Sequence, residues 1–88
     1  MFWTIPTRFK EANIGNPKEN DAAAREALAS AKGRVVLIKD AYFGGDYQMG
    51  RVRFFDKSGD YHLTMYDKDK EKGIRLECRN LESLLIGQ

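Results

Sequence analysis

The chain has 88 residues, 42% of them apolar, which suits one compact domain and leaves no room for separate cofactor and substrate domains. Eight of the apolar residues are alanine and four are tyrosine, so few bulky groups remain to wall a deep private cavity. With 15 Lys plus Arg against 13 Asp plus Glu, the net charge of +2 is too small to make nucleic acid the default partner.

At the N-terminus, Phe2-Trp3-Thr4-Ile5-Pro6 joins strand-forming side chains to a proline without an amide hydrogen, which predicts a short edge strand or a packed arm. Asn16-Pro17-Lys18-Glu19 places a cap, a proline at the first helical position and a carboxylate three residues after the cap, so a helix is expected to begin there. Asn20-Asp21 offers a second start. The alanine-rich body from Ala22 to Lys32 follows, and Gly33 suits a left-handed end.

From Arg34 the hydrophobic period changes to two. Val35-Val36-Leu37-Ile38 reads as a central strand buried on both faces. Residues 50–56 and 61–66 read as strands joined by Lys57-Ser58-Gly59-Asp60. The expected register sets Asp56 against Tyr61, Phe54 against Leu63 and Val52 against Met65, with Val52, Phe54, Leu63 and Met65 facing the core. Arg51, Arg53, Phe55, His62, Thr64 and Tyr66 then share the reverse side. Residues 67–73 alternate in charge and predict a solvated connection. Beyond it, Ile74, Leu76 and Cys78 alternate with Arg75, Glu77 and Arg79 as a half-buried strand, and Asn80 is placed to cap a last helical turn over 81–85.

From Gly33 to Leu85, the sequence of buried strand, Gly-rich excursion, Gly50-Arg51-Val52 strand, tight hairpin, further strand and terminal turn resembles an SH3-like small barrel. Gly50-Arg51-Val52 after Gly44-Gly45 is similar to the glycine-then-valine step of the KOW motif, although the excursion from Asp40 to Met49 is longer. The expected fold is therefore α+β in one domain over residues 1–88. Residues 1–33 form an arm and helix, and residues 34–88 a strongly bent antiparallel sheet of four or five strands closing toward a barrel. A ferredoxin-like or double-stranded-RNA-binding arrangement, with the helix across an open sheet, is the alternative.

The resemblance implies a binding module that docks a partner on loop tips or a sheet face. Three aromatics around two glycines, Tyr42-Phe43-Gly44-Gly45-Asp46-Tyr47, suit an adhesive contact surface, because tyrosine offers contact area at little cost in rotamer entropy. They equally suit a turn whose rings fold back to close a small core. The expected partner-binding set is Tyr42, Phe43, Tyr47, Arg51, Arg53, Phe55 and Tyr66. An alternative set, Arg51, Arg53, Arg75 and Arg79, could neutralise phosphates while Phe55 and Tyr66 stack on bases, but an ordinary solvated face gives the same pattern.

Catalytic and metal chemistry find little support. With one histidine and one cysteine, zinc lacks ligands, and the lysines between Asp67, Asp69 and Glu71 oppose a calcium loop. Cys78 is expected on the inward face, chemically quiet and away from His62. No cofactor is expected. The lone cysteine, the absence of a leader-like start and the shortness of the apolar runs, far below the roughly 20 residues that cross a bilayer, suggest a soluble cytoplasmic protein. Small chains without catalytic residues are often phage or mobile-element effectors that occlude a host machine. The expectation is a non-catalytic protein that binds a host or cellular protein, with nucleic acid as the alternative ligand.

Overall fold

One helix and six strands are found in the computed structural model, which describes residues 4–43, 45–56, 60–67 and 70–88, with Phe43, Phe54, Phe55 and Asp67 as backbone only. Strands β1 (Phe9–Glu11), β2 (Val35–Asp40), β3 (Gln48–Phe55), β4 (Tyr61–Asp67), β5 (Lys70–Leu76) and β6 (Leu81–Gly87) make one sheet in the order β1-β6-β2-β3-β4-β5. Every neighbouring pair is antiparallel, and helix α1 (Ala22–Ser30) connects β1 to β2. The chain is thus a small α+β domain, as expected, but the sheet has six strands and does not close. Both edges of β6 are used, by β1 and β2, so β1 and β5 stand as the two edges of an open sheet. An SH3-like barrel needs that gap paired. The helix lies on an open sheet as in the alternative, yet a ferredoxin-like order of β-α-β-β-α-β needs two helices, and α1 is the single α-helix among the described residues.

Helix α1 starts later than the Asn16-Pro17 signal predicts. Asn16 makes a turn instead, its carbonyl accepting the Glu19 and Asn20 amides at 3.1 and 2.9 Å. The second signal lies closer to the start, since the Asn20 side chain accepts the Ala22 amide at 3.0 Å and Arg25 pairs with Asp21 one turn back. Past the helix, Gly33 takes φ +81° and donates its amide to the Val52 carbonyl at 2.8 Å, which ties the helix exit to β3. Ala24, Leu28 and Ala31 are fully buried and pack with Val36 and Ile38 of β2, Val52 of β3, Leu63 and Met65 of β4, Leu76 of β5 and Leu84 of β6. Burial of Leu28 alone is worth about 2 kcal/mol, and the small alanines around it let the helix approach the sheet closely.

Val35 to Ile38 is central as expected, with β2 flanked by β3 and β6. The β3–β4 hairpin departs from the expected register. At the turn end Phe55 rather than Asp56 faces Tyr61 and Phe54 faces His62, one residue from the expected pairing. A bulge at Arg53 adds a further residue to β3, so that beyond it Val52 faces Leu63 and Gly50 faces Met65, two residues from the expected pairing. Tyr61 joins Leu63 and Met65 in the buried set, while the expected core role of Phe54 and the 57–59 turn lie outside the described residues.

Two further expectations are corrected at the C-terminal end. Lys70 to Gly73 is part of β5 rather than a loop, and the register continues to Asp67 opposite Lys70. Its charges are compatible with a strand because β5 is an edge. The segment expected as a last helical turn is β6. Lys39 pairs with Ser83 and Asp40 with Leu81, so Glu82 is an extra residue, and the resulting bulge buries Leu81 and Leu84 together. A three-residue spacing that reads as helical thus arises inside a strand. Residues 4–6 form no strand; the edge strand is β1, while Phe2 and Trp3 lie outside the described residues. Among the described residues no helix is long and apolar enough to cross a membrane.

Candidate functional site

The excursion after β2 begins with a pinned turn. Asp40, the last residue of β2, accepts the Tyr42 amide on Oδ1 at 2.7 Å and so holds the 3-10 turn Ala41–Phe43. Asp40 is only 2% exposed, whereas Tyr42, whose amide it holds, is 81% exposed. The other tyrosine of the excursion is tied back. Tyr47 shares a hydrogen bond with Ser83 Oγ at 2.8 Å, and the Lys39 ammonium lies 5.9 Å from its ring centre. Neither tyrosine of this loop closes a core: Tyr42 is displayed, and Tyr47, itself 47% exposed, is tethered to β6 at its hydroxyl.

Tyr42 stands over a cleft of about 400 Å³ that Asp40, Asp60, Arg75, Glu77, Arg79 and Asn80 also line. The topology gathers them. Asp60 precedes β4, Arg75 is near the end of β5, and residues 77–80 form the connection to β6, including the 3-10 turn Cys78–Asn80. Arg75 Nε donates to Asp60 at 2.8 Å and lies 3.5 Å from Asp56, which in turn is 2.7 Å from His62 Nε2. Arg79 Nε donates to Glu77 at 3.0 Å, and the Asn80 amide reaches the same carboxylate at 3.3 Å. Each guanidinium on the cleft thus has a carboxylate of its own.

Asp40 is treated differently. Among the described residues no cation pairs with it, and its carboxyl is held above the ordinary carboxylate range, first by burial and then by Glu82 and Glu77, against the opposing Tyr42 hydrogen bond.

The remaining expected residues lie elsewhere. Arg51 is half-buried between Val35 and Thr64 in register, Arg53 is exposed at the β3 bulge, and Tyr66 is half-buried near the end of β4. The side chains of Phe43 and Phe55 lie outside the described residues. The structure therefore brings Tyr42 of one expected set together with Arg75 and Arg79 of the other in this cleft, while Arg51 lines a different cleft and Arg53 lines an adjoining one that it shares with Arg75.

Asp40, Asp60, Glu77 and Asn80 were missed by the sequence reading. A signal existed for Asp40: two-residue alternation from Val36 through Ile38 carries it onto the core face, where a carboxylate is out of place.

Cys78 sits in the core at 1% exposure, and burial pushes its thiol up to about 11, so it is protonated at neutral pH and inert as a nucleophile. His62 is engaged with Asp56. Among the described residues no three His, Cys, Asp or Glu side chains gather as metal ligands. No protein-family model, curated protein or solved structure matches the chain.

Proposed function

We propose that the chain is a non-catalytic binding domain that docks on another protein through the Tyr42 turn and the mixed-charge cleft beneath it. The observation that carries this reading is the 81% exposure of Tyr42 on a turn whose backbone a buried carboxylate hydrogen-bonds. An exposed tyrosine is a typical interface anchor, since it offers a large contact area at little cost in rotamer freedom. The charge arrangement favours protein over nucleic acid. Arg75 and Arg79 are already matched by Asp60 and Glu77, so phosphates would have to displace those carboxylates.

Affinity capture from a cell lysate, with and without nuclease, tests the reading when Tyr42→Ala is compared with the double change Arg51→Ala and Arg53→Ala. A captured protein should survive nuclease. Tyr42→Ala should weaken its binding by about 2 kcal/mol, roughly 30-fold, while the arginine pair has a smaller effect. Loss of every partner on nuclease treatment, or binding that weakens with the arginine pair and loses salt dependence, assigns the domain to nucleic acid instead.

A further inference from the structure

The cleft has an imbalance that no other described residue corrects. Three carboxylates, Asp40, Asp60 and Glu77, face two guanidiniums, Arg75 and Arg79. Asp60 and Glu77 are taken up by the arginines, which leaves Asp40 as the unmatched charge at the floor. A carboxylate buried without a cation is costly, and an apolar residue could occupy the end of β2 at less expense. Holding the Tyr42 turn requires only a side-chain oxygen, which asparagine supplies equally. The negative charge itself is therefore unexplained by the fold.

Tyr42 lines the same cleft two residues along the chain, exposed to solvent, with its backbone amide donating to Asp40 at 2.7 Å. A buried carboxylate and an exposed aromatic side chain lining one cleft are the two groups that recognise a planar cation. Guanidinium donates in its plane to a carboxylate and stacks its face on an aromatic ring, whereas an ammonium group has no such face.

We infer that the cleft takes an arginine side chain of the protein partner, with its guanidinium on the Asp40 carboxylate and its face against the Tyr42 ring. This rests on the reading of the chain as a protein-binding domain. The internal pairs Arg75–Asp60 and Arg79–Glu77 then serve as a wall already neutralised, so the incoming cation meets a net negative floor without displacing either pair. The elevated Asp40 carboxyl agrees with this: burial, Glu82 and Glu77 all disfavour its charge, and each of those effects is relieved by a cation from outside.

The test is an NMR titration of the full chain with N-acetyl-arginine N-methylamide, with the citrulline analogue as a neutral probe of the same shape. The arginine probe should give saturable shifts at the Tyr42 amide and the Asp40 carboxyl carbon, and the citrulline probe should not. Asp40→Asn, which preserves the turn, should weaken the arginine probe about tenfold or more, and Tyr42→Ala, at an exposed position, several-fold. Equal shifts with citrulline, undiminished binding to Asp40→Asn, or no saturable shift at all would each overturn the inference. If the arginine probe is silent while Tyr42→Ala still abolishes capture of the protein partner, arginine recognition fails and the protein-binding reading stands. If neither effect appears, both fail.

Discussion

At the residue scale Asp40 is the most consequential position, because it does two things that oppose each other. Its oxygen fixes the Tyr42 turn, and its charge weighs against folding. A carboxyl whose folded pKa lies above its ordinary value of 3.8 binds its proton more tightly in the native state. The stability it supplies is therefore present in acid and is lost as pH rises from the unfolded value through the folded one. Asp40→Asn keeps the acceptor and removes the charge, so it should stabilise the protein by about 1 kcal/mol at neutral pH. Urea unfolding of both proteins should show that advantage shrinking as pH falls toward 4. A destabilised Asp40→Asn at neutral pH would mean that the carboxylate is matched within the domain after all.

At the element scale, the β6 strand shows how a close approach constrains a sequence. A Cβ added at Gly87 would lie 2.7 Å from the Val35 carbonyl and would also strike the Pro6 ring. Val35 belongs to the central strand and cannot retreat without disturbing its pairs with β3 and β6. Gly87→Ala should therefore destabilise the fold by about 2 kcal/mol, measured as a lower urea midpoint with an unchanged slope. An unaltered midpoint would show that the N-terminal arm and β6 yield to each other at little cost.

The same strand marks the limit of what the sequence discloses. Elements whose period is local and uninterrupted, the alanine helix and Val35 to Ile38, were legible from their own residues. Both bulges were not. An extra residue at Arg53 or Glu82 changes which side chains share a face, and whether a bulge forms depends on the neighbouring strand. Of the candidate site, Tyr42 was visible as an aromatic beside glycines. Its cleft was not, because Asp60, Arg75 and Glu77 come together only through β-strand pairing between residues distant from Asp40 in the chain.

For the molecule as a whole, an open sheet has to prevent its edges from pairing with other copies. Strand β5 presents one of those edges, and its first three residues, Lys70, Glu71 and Lys72, are all exposed. The register adds a second safeguard. Lys72 faces Met65 and Lys70 faces Asp67, so both lysines lie on the face that continues into Ile74 and Leu76, where an apolar residue would extend the core surface to the edge. An incoming strand would have to bury those ammonium groups against the core side of the sheet, which strongly opposes association. Replacing both, Lys70→Val with Lys72→Val, removes the charges and raises strand propensity together. The double variant should remain folded by circular dichroism, because both positions are exposed. Its weight-average mass in sedimentation should rise with concentration more steeply than that of the unaltered chain, and restoring Lys72 alone should reverse most of the effect. If the two proteins sediment alike at every concentration, edge protection must come from the twist of β5, and the lysines serve only as solvated charge.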